Sequence, residues 1–248
     1  MNAPKSRGII FTTESVRAIL DGRKTQTRRV MRSQPTIENL PVGRSYIPIM
    51  RWNGKYWGSA TKDNRDGIAQ IAVAKHCPYG KVGDRLWVRE TFVIESNFNL
   101  DAEDKYPPPF SDGRPVKRVD CEEYGKYWQQ CHYRATDPMP LLVNTNTDEE
   151  CKWHPSIYMP RWASRINLEI VSVRVERVAE ISEADAIAEG LTIPEHERGT
   201  VRLPHASARV AKTSYTTKYK ILWDRLNAKR GFAWDTNPYV WVIEFRRI

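Results

Sequence analysis

"INLEIVSVRVERVAEISEADAIAEG", residues Ile166–Gly190, sets a strand signal directly against a helix signal. Ile166, Leu168 and Ile170 alternate in one phase, and Val171, Val173 and Val175 alternate in the other. A period of two marks a strand with one buried face. The slip between phases predicts a bulge or a sharp bend, of the kind barrels use to turn corners. Ser182 then opens a helix. Ser182 and Asp185 have the spacing of a capping box, with Asp in place of the usual Glu. Ile181, Ala184, Ile187 and Ala188 are expected to face inward, and Gly190 to close the helix in a left-handed conformation.

Working outward, Tyr215, Tyr219, Leu222, Trp223 and Leu226 line a second amphipathic helix ended by Gly231, and Tyr239 to Phe245 read as a final strand. Upstream, Gly8 to Phe11 is a short apolar run. Thr12 or Thr13 caps a helix carrying Val16, Ile19 and Leu20 on one face, and Gly22 ends it. Leu86 and Val88 alternate with Trp87 and Arg89 in another half-buried strand, and Ala69 to Ala74 and "HYRAT" (residues 132–136) read as short strands. Residues 31–68 read as irregular apart from a hairpin at Asn53-Gly54. Residues 95–130, rich in Pro, Asp and Tyr, read as a long loop. Short strands with a few helices between them predict an α+β fold with a small, strongly bent mixed sheet or barrel. A single domain is expected over 1–248, with insertions at about 31–70, 95–155 and 192–213.

The chain has 248 residues, enough for a substantial core, and a net charge of +9. A basic surface attracts polyanions, and nine Trp and eleven Tyr supply flat rings for stacked bases, so RNA or another nucleic acid is the first partner to consider. No stretch has the roughly 18 apolar residues of a membrane span, and MNAPKSRGIIF carries no apolar leader core. No membrane partner is expected, and a cytoplasmic location is. Cys121, Cys131, Cys151 and His154 are the only set that suggests zinc, but their irregular spacing matches no standard pair of knuckles, so neither metal nor cofactor is expected.

The chemistry-bearing stretch is "LDGRKTQTRRV", Leu20–Val30, where Lys and Arg alternate with Thr and Gln behind a helix-ending glycine. With "GDRLWVRE", "ISEADAIAEGL" and "YVWVIEF" in this order, it resembles the ASCH superfamily, whose fold is a PUA-like barrel; Gly22, Lys24, Thr25, Thr27 and Arg29 match the family's G-x-K-T-x-T-x-R signature. "CPYGKVGDRLWVRET" and "WHPSIYMPRWASRI" resemble the larger ASCH-like proteins of phages and prophages. The family includes small amidohydrolases that remove the acetyl group of 4-acetylcytidine. The resemblance implies catalytic roles for Lys24, Thr27 and Glu189, and substrate contacts for Arg23, Arg29, Trp87 and Arg89.

These residue types suit amide hydrolysis. A Thr hydroxyl is a nucleophile only beside a base. Lys24 can be that base if burial and the neighbouring Arg23, Arg28 and Arg29 lower its pKa. Glu189 can protonate the leaving amine. The same residues also suit a basic turn at a helix end, a strand Thr and an exposed helical Glu, the last slightly repelled by Asp185 four residues away. Three readings follow: an amidohydrolase on a modified cytosine, a non-catalytic reader of RNA or modified nucleic acid, and a ribonuclease, which ranks last because no His lies near the signature. The oligomeric state is not legible.

Overall fold

The computed structural model describes residues 3–42, 45–59, 73–97, 113–121, 125–140, 143–144, 149–150, 152–194 and 214–248. In chain order the elements are β1 (Ser6–Ile10), α1 (Thr13–Leu20), β2 (Gln26–Val30), β3 (Thr36–Val42), β4 (Ser45–Trp52), β5 (Lys55–Ser59), β6 (Arg85–Arg89), β7 (Phe92–Asn97), β8 (Val116–Cys121), β9 (Gly125–Tyr133), β10 (Val143–Asn144), β11 (Glu149–Glu150), β12 (Asn167–Arg177), α2 (Glu183–Ala188), α3 (Tyr215–Asn227) and β13 (Tyr239–Arg247). Strands dominate and the class is α+β. Among the described residues no sheet closes on itself, so the expected barrel gives way to open sheets. No helix among them is long and apolar enough to cross a membrane.

The chain divides into two compact units, and the boundary falls within β12, after Glu169. The first unit comprises Met1–Leu20, Arg85–Glu169 and Arg247–Ile248. In it β1 runs parallel to β6, with Gly8 beside Trp87, and β6 pairs antiparallel with the first residues of β12. Gly8 is needed for this approach, because a Cβ there would sit 2.8 Å from the indole Cζ2 of Trp87. Strands β7, β9 and β8 form an antiparallel sheet over a core of Phe92, Cys131, Tyr133, Met159 and Ala163. Where residues are described, these strands correct the expectation of a long loop over 95–130; residues 98–112 and 122–124 lie outside the described residues. The polar composition of β8 and β9 hides the alternation that marks a strand, while Cys131 and Tyr133, two apart on β9, are fully buried.

The second unit comprises Asp21–Asp84 and Ile170–Arg246. Strand β13 lies between β12 and β2, with Thr27 opposite Ile243, Arg28 opposite Val242 and Arg29 opposite Trp241. One face of β13 presents Val240 and Val242 to Val178, Ile181, Ala186, Tyr219 and Trp223, which makes this unit's core. The buried stripe of α3 is Tyr219, Trp223 and Asn227, four apart, while Leu226 is exposed, contrary to expectation. Strands β3, β4 and β5 form a meander where irregular chain was expected; Pro41 and Pro48 mask the signal. The expected Asn53-Gly54 turn joins β4 to β5, with φ of 50° and 71°. Of the strand expected over Ala69–Ala74, residues 69–72 lie outside the described residues and Val73 and Ala74 are helical.

The opening stretch of sequence behaves largely as it reads. Strand β12 runs unbroken and changes its buried side between Ile170 and Val175. Ser182 caps α2, the capping box with Asp185 forms, and Gly190 has φ of 88°. The inward face of α2 is different from the expected one: Ala184 and Ile187 are exposed, while Ala186 is buried and Asp185 is half-buried.

Candidate functional site

The departure at α2 is what builds the site. Strand β2 carries Gln26 and Arg28, both buried, on one face two residues apart. Both reach Asp185 of α2, Gln26 Nε2 donating at 2.7 Å and the Arg28 guanidinium at 3.1 Å. Arg28 has a side chain with no exposed surface, and it also pairs with Glu176 of β12 at 2.8 Å. Arg174 joins from the same strand, paired with Glu176, Asp185 and Glu244. A buried cation must be matched by anions to stay charged. So the helix turns its acidic side inward, where β2 is cationic, and leaves Ile187 in solvent.

One turn further, Glu189 ends the helix and meets Lys24. The Lys24 ammonium contacts one carboxylate oxygen of Glu189 and donates to the Glu189 carbonyl at 2.8 Å. The two residues form an isolated β-bridge, reinforced by Thr25 N–H donating to the Ala188 carbonyl at 2.8 Å. The other carboxylate oxygen accepts from the Arg28 N–H at 2.5 Å and from the Tyr219 hydroxyl at 3.4 Å. The pair is nearly sealed, with side chains 3% and 6% exposed. Burial pushes the Lys24 pKa below its ordinary value; Glu189 opposes this, and the charge of Arg29 adds to the lowering. Burial, and then the charge of Glu189, push the Tyr219 phenol well above its ordinary value, so it remains a donor. Burial alone would raise Asp185, but hydrogen bonds from Gln26 and Ser182 and the charge of Arg28 hold it below the ordinary value.

The structure therefore brings together Lys24 and Glu189, with Arg23 beside them: Arg23 donates to the Gly190 carbonyl at 2.9 Å and pairs with Asp21 at 2.8 Å. Thr27 is buried on β2 three residues from Lys24, between Gln26 and Arg28, and so presents its side chain to the other face of the strand. Arg29 is half-buried on β2. Trp87 and Arg89 belong to the first unit. There the Arg89 and Arg161 guanidinium groups lie 5.4 and 5.6 Å from the Trp87 ring, and Arg89 donates to the Ile157 carbonyl. Of the Cys/His set, Cys151 lies outside the described residues, as does most of the basic stretch 192–213. The Cys131 thiol is buried and its pKa is pushed up to about 12 by burial, and the His154 ring packs 5.7 Å from that of Phe92. Among the described residues no group of three or more His, Cys, Asp or Glu is placed to hold a metal.

Sequence reasoning missed Gln26 and Tyr219 as members of this site, took Arg28 only as a charge near Lys24, and saw Asp185 as a cap and a weak repulsion of Glu189. The available signal was the spacing of Asp185 and Glu189: like charges four apart on one short helix need cations facing both, and Arg28 and Lys24 supply them. No family model, no curated protein and no solved structure matches the chain.

Proposed function

We propose that the chain is an ASCH-type amidohydrolase that releases an acyl group from the exocyclic amine of a modified cytosine. The observation that carries this reading is the sealed contact between the Lys24 amine and the Glu189 carboxylate. A lysine whose pKa is lowered by burial gives up its proton more readily and can act as a base, and the carboxylate touching it gives the proton a place to go. In the reaction water adds across the amide: its oxygen joins the acyl carbon, the C–N bond breaks, and the exocyclic nitrogen takes up a proton. Lys24 accepts the proton from the attacking water. Glu189 holds the amine in position and relays the proton to the leaving nitrogen. The charge of Arg29 is felt at Lys24 and favours an oxyanion developing beside it. Because the pair is nearly sealed, the acyl group enters as a neighbour moves. Arg23, exposed and held by the carbonyl next to Glu189, is that neighbour.

The test is to incubate the purified protein with 4-acetylcytidine, other acylated nucleosides and RNAs containing them, and to follow products by mass spectrometry. Release of the free acid by the native chain, lost in Lys24→Gln, is the expected result. No product from any acylated nucleoside or RNA overturns the reading. Shortened RNA in place of free acid points instead to strand cleavage.

A further inference from the structure

The second unit has a cavity that takes no part in the Lys24–Glu189 pair. It measures about 470 Å³, within the range of small-molecule pockets, and Trp52, Trp241, Tyr79 and His76 supply its aromatic wall. Trp241 and Val242 are adjacent on β13, and Val242 packs in the core with Tyr219 of α3 and Ala186 of α2, so Trp241 faces the other way. The rings are arranged as walls and do not stack closed. Trp52 meets Trp241 edge to face at 5.7 Å and 79°, and His76 is tilted 55° from Trp52 at 6.3 Å. The Trp52 indole is fixed, because its N–H donates to the Ser33 carbonyl at 2.8 Å. The turn at Asn53-Gly54 begins at the next residue, so the same hairpin that orders β4 and β5 anchors this wall. Arg32, exposed, lines the same cavity and places a permanent cation against its aromatic lining.

Rigid rings around a cavity of this size favour a flat heteroaromatic ligand, which gains by stacking whatever its ring substituents. A guanidinium at the same opening favours an anion, and a phosphate above all, since Arg matches its geometry. We infer that this cavity binds a nucleotide, its base against Trp52 and Tyr79 and its phosphate on Arg32. The shared chemistry is a base with its 5′-phosphate, either free or at the end of a strand.

Isothermal titration calorimetry tests this with AMP, CMP, cytidine, ribose 5-phosphate and a 5′-phosphorylated pentanucleotide. The expected result is saturable binding of AMP and CMP, with cytidine and ribose 5-phosphate each weaker by about tenfold or more. Arg32→Ala, a change at an exposed residue, should weaken CMP about tenfold and leave cytidine unchanged. Trp52→Leu and Tyr79→Leu, checked by circular dichroism for native secondary structure, should each weaken both ligands by a similar factor. Lys24→Gln should bind CMP as the native chain does, so loss of acyl release and loss of this site are separate results. Tighter binding of the pentanucleotide assigns the site to a strand end; equal affinity assigns it to free nucleotides. No saturable binding of any nucleotide at millimolar concentration, or ribose 5-phosphate binding as tightly as CMP, overturns the inference. So does undiminished CMP binding in folded Tyr79→Leu and Arg32→Ala.

Discussion

Glu90 in the first unit and Glu189 in the second are both buried carboxylates, 2% and 8% exposed, and each is met by a cation. The resemblance ends at the cation. Arg165 grips Glu90 with a fork, Nε to one oxygen at 2.9 Å and Nη2 to the other at 3.0 Å. It also donates to the Thr136 hydroxyl, and its guanidinium lies 3.9 Å from the centre of the Tyr133 ring. An arginine keeps its proton in any protein, so this pair can only hold. Lys24 meets Glu189 through one ammonium, and burial has brought it nearer to losing its proton. The two sites bury the same charges, and the choice of cation separates a clamp from a proton-transfer centre.

The sharpest way to break that comparison is to change the cation at Glu189. Lys24→Arg keeps the charge and removes the accessible neutral form. Acyl release should fall by about 10³-fold, within the usual range for losing a general base, while the urea midpoint moves little. Lys24→Ala should lose the same activity and also about 3–5 kcal/mol of stability, since Glu189 is left buried without its amine. Retained turnover in Lys24→Arg would put Lys24 in the same class as Arg165. The pH profile gives an independent reading. A lysine whose folded pKa is lowered binds fewer protons folded than unfolded between that value and 10.5, so its contribution to stability rises with pH across that window. The native-minus-Lys24→Met stability difference should climb accordingly.

Arg165→Met is the matching change in the clamp. About 3 kcal/mol of stability should be lost at neutral pH, with acyl release unchanged. Glu90 has its pKa raised, burial outweighing the opposing charge and hydrogen bonds of Arg165. Its contribution is therefore fully present below 4.5 and is lost as pH rises through the folded value. Without Arg165 that folded value rises further, so the deficit of the variant should shrink on acidification. A deficit independent of pH would mean that Glu90 was not the group left unsatisfied.

The two sites also differ in how far the sequence disclosed them. Lys24 and Glu189 were expected to act together because the resemblance implied roles for both; nothing local to "LDGRKTQTRRV" or "ISEADAIAEG" joins them. The capping box, the left-handed Gly190, strand β6 and the Asn53-Gly54 turn were legible from the residues themselves: each is decided by a few adjacent residues. The inward face of α2 was not, because apolar periodicity assumes an apolar partner surface, and the partner here is a strand bearing Gln26 and Arg28. Strands β8 and β9 and the Arg165–Glu90 clamp of the first unit were hidden by polar composition. The pairing of Trp52 with Trp241 depends on residues far apart in the chain and left no local trace.

Asp185→Asn probes the network around the lysine without touching it. Asp185 accepts from Gln26, Arg28 and Ser182, and its folded pKa is held below 3.8. The stability it contributes is present above 3.8 and is lost as pH falls through the folded value. Asn should cost about 2 kcal/mol at neutral pH, the scale of a charge-assisted hydrogen bond with a buried arginine, and the cost should fade in acid. Arg28 keeps Glu176, so the variant should unfold cooperatively and still hold Glu189 near Lys24.

Ser182→Ala should have the smallest effect, and it decides what holds α2. The Ser182 hydroxyl accepts from the Asp185 N–H at 3.0 Å and donates to its carboxylate at 2.9 Å. Loss of such a cap usually costs about 1 kcal/mol. A helix of six residues has too few turns to stand on propensity and capping alone. What fixes it is the side-chain network to β2 and the core contact of Ala186. Removing the hydroxyl should therefore lower stability by about 1 kcal/mol or less, with Thr restoring it. If Ser182→Ala instead cost as much as Asp185→Asn in urea unfolding, the cap would be what places Glu189 against Lys24, and the cationic face of β2 would only accept a helix already formed.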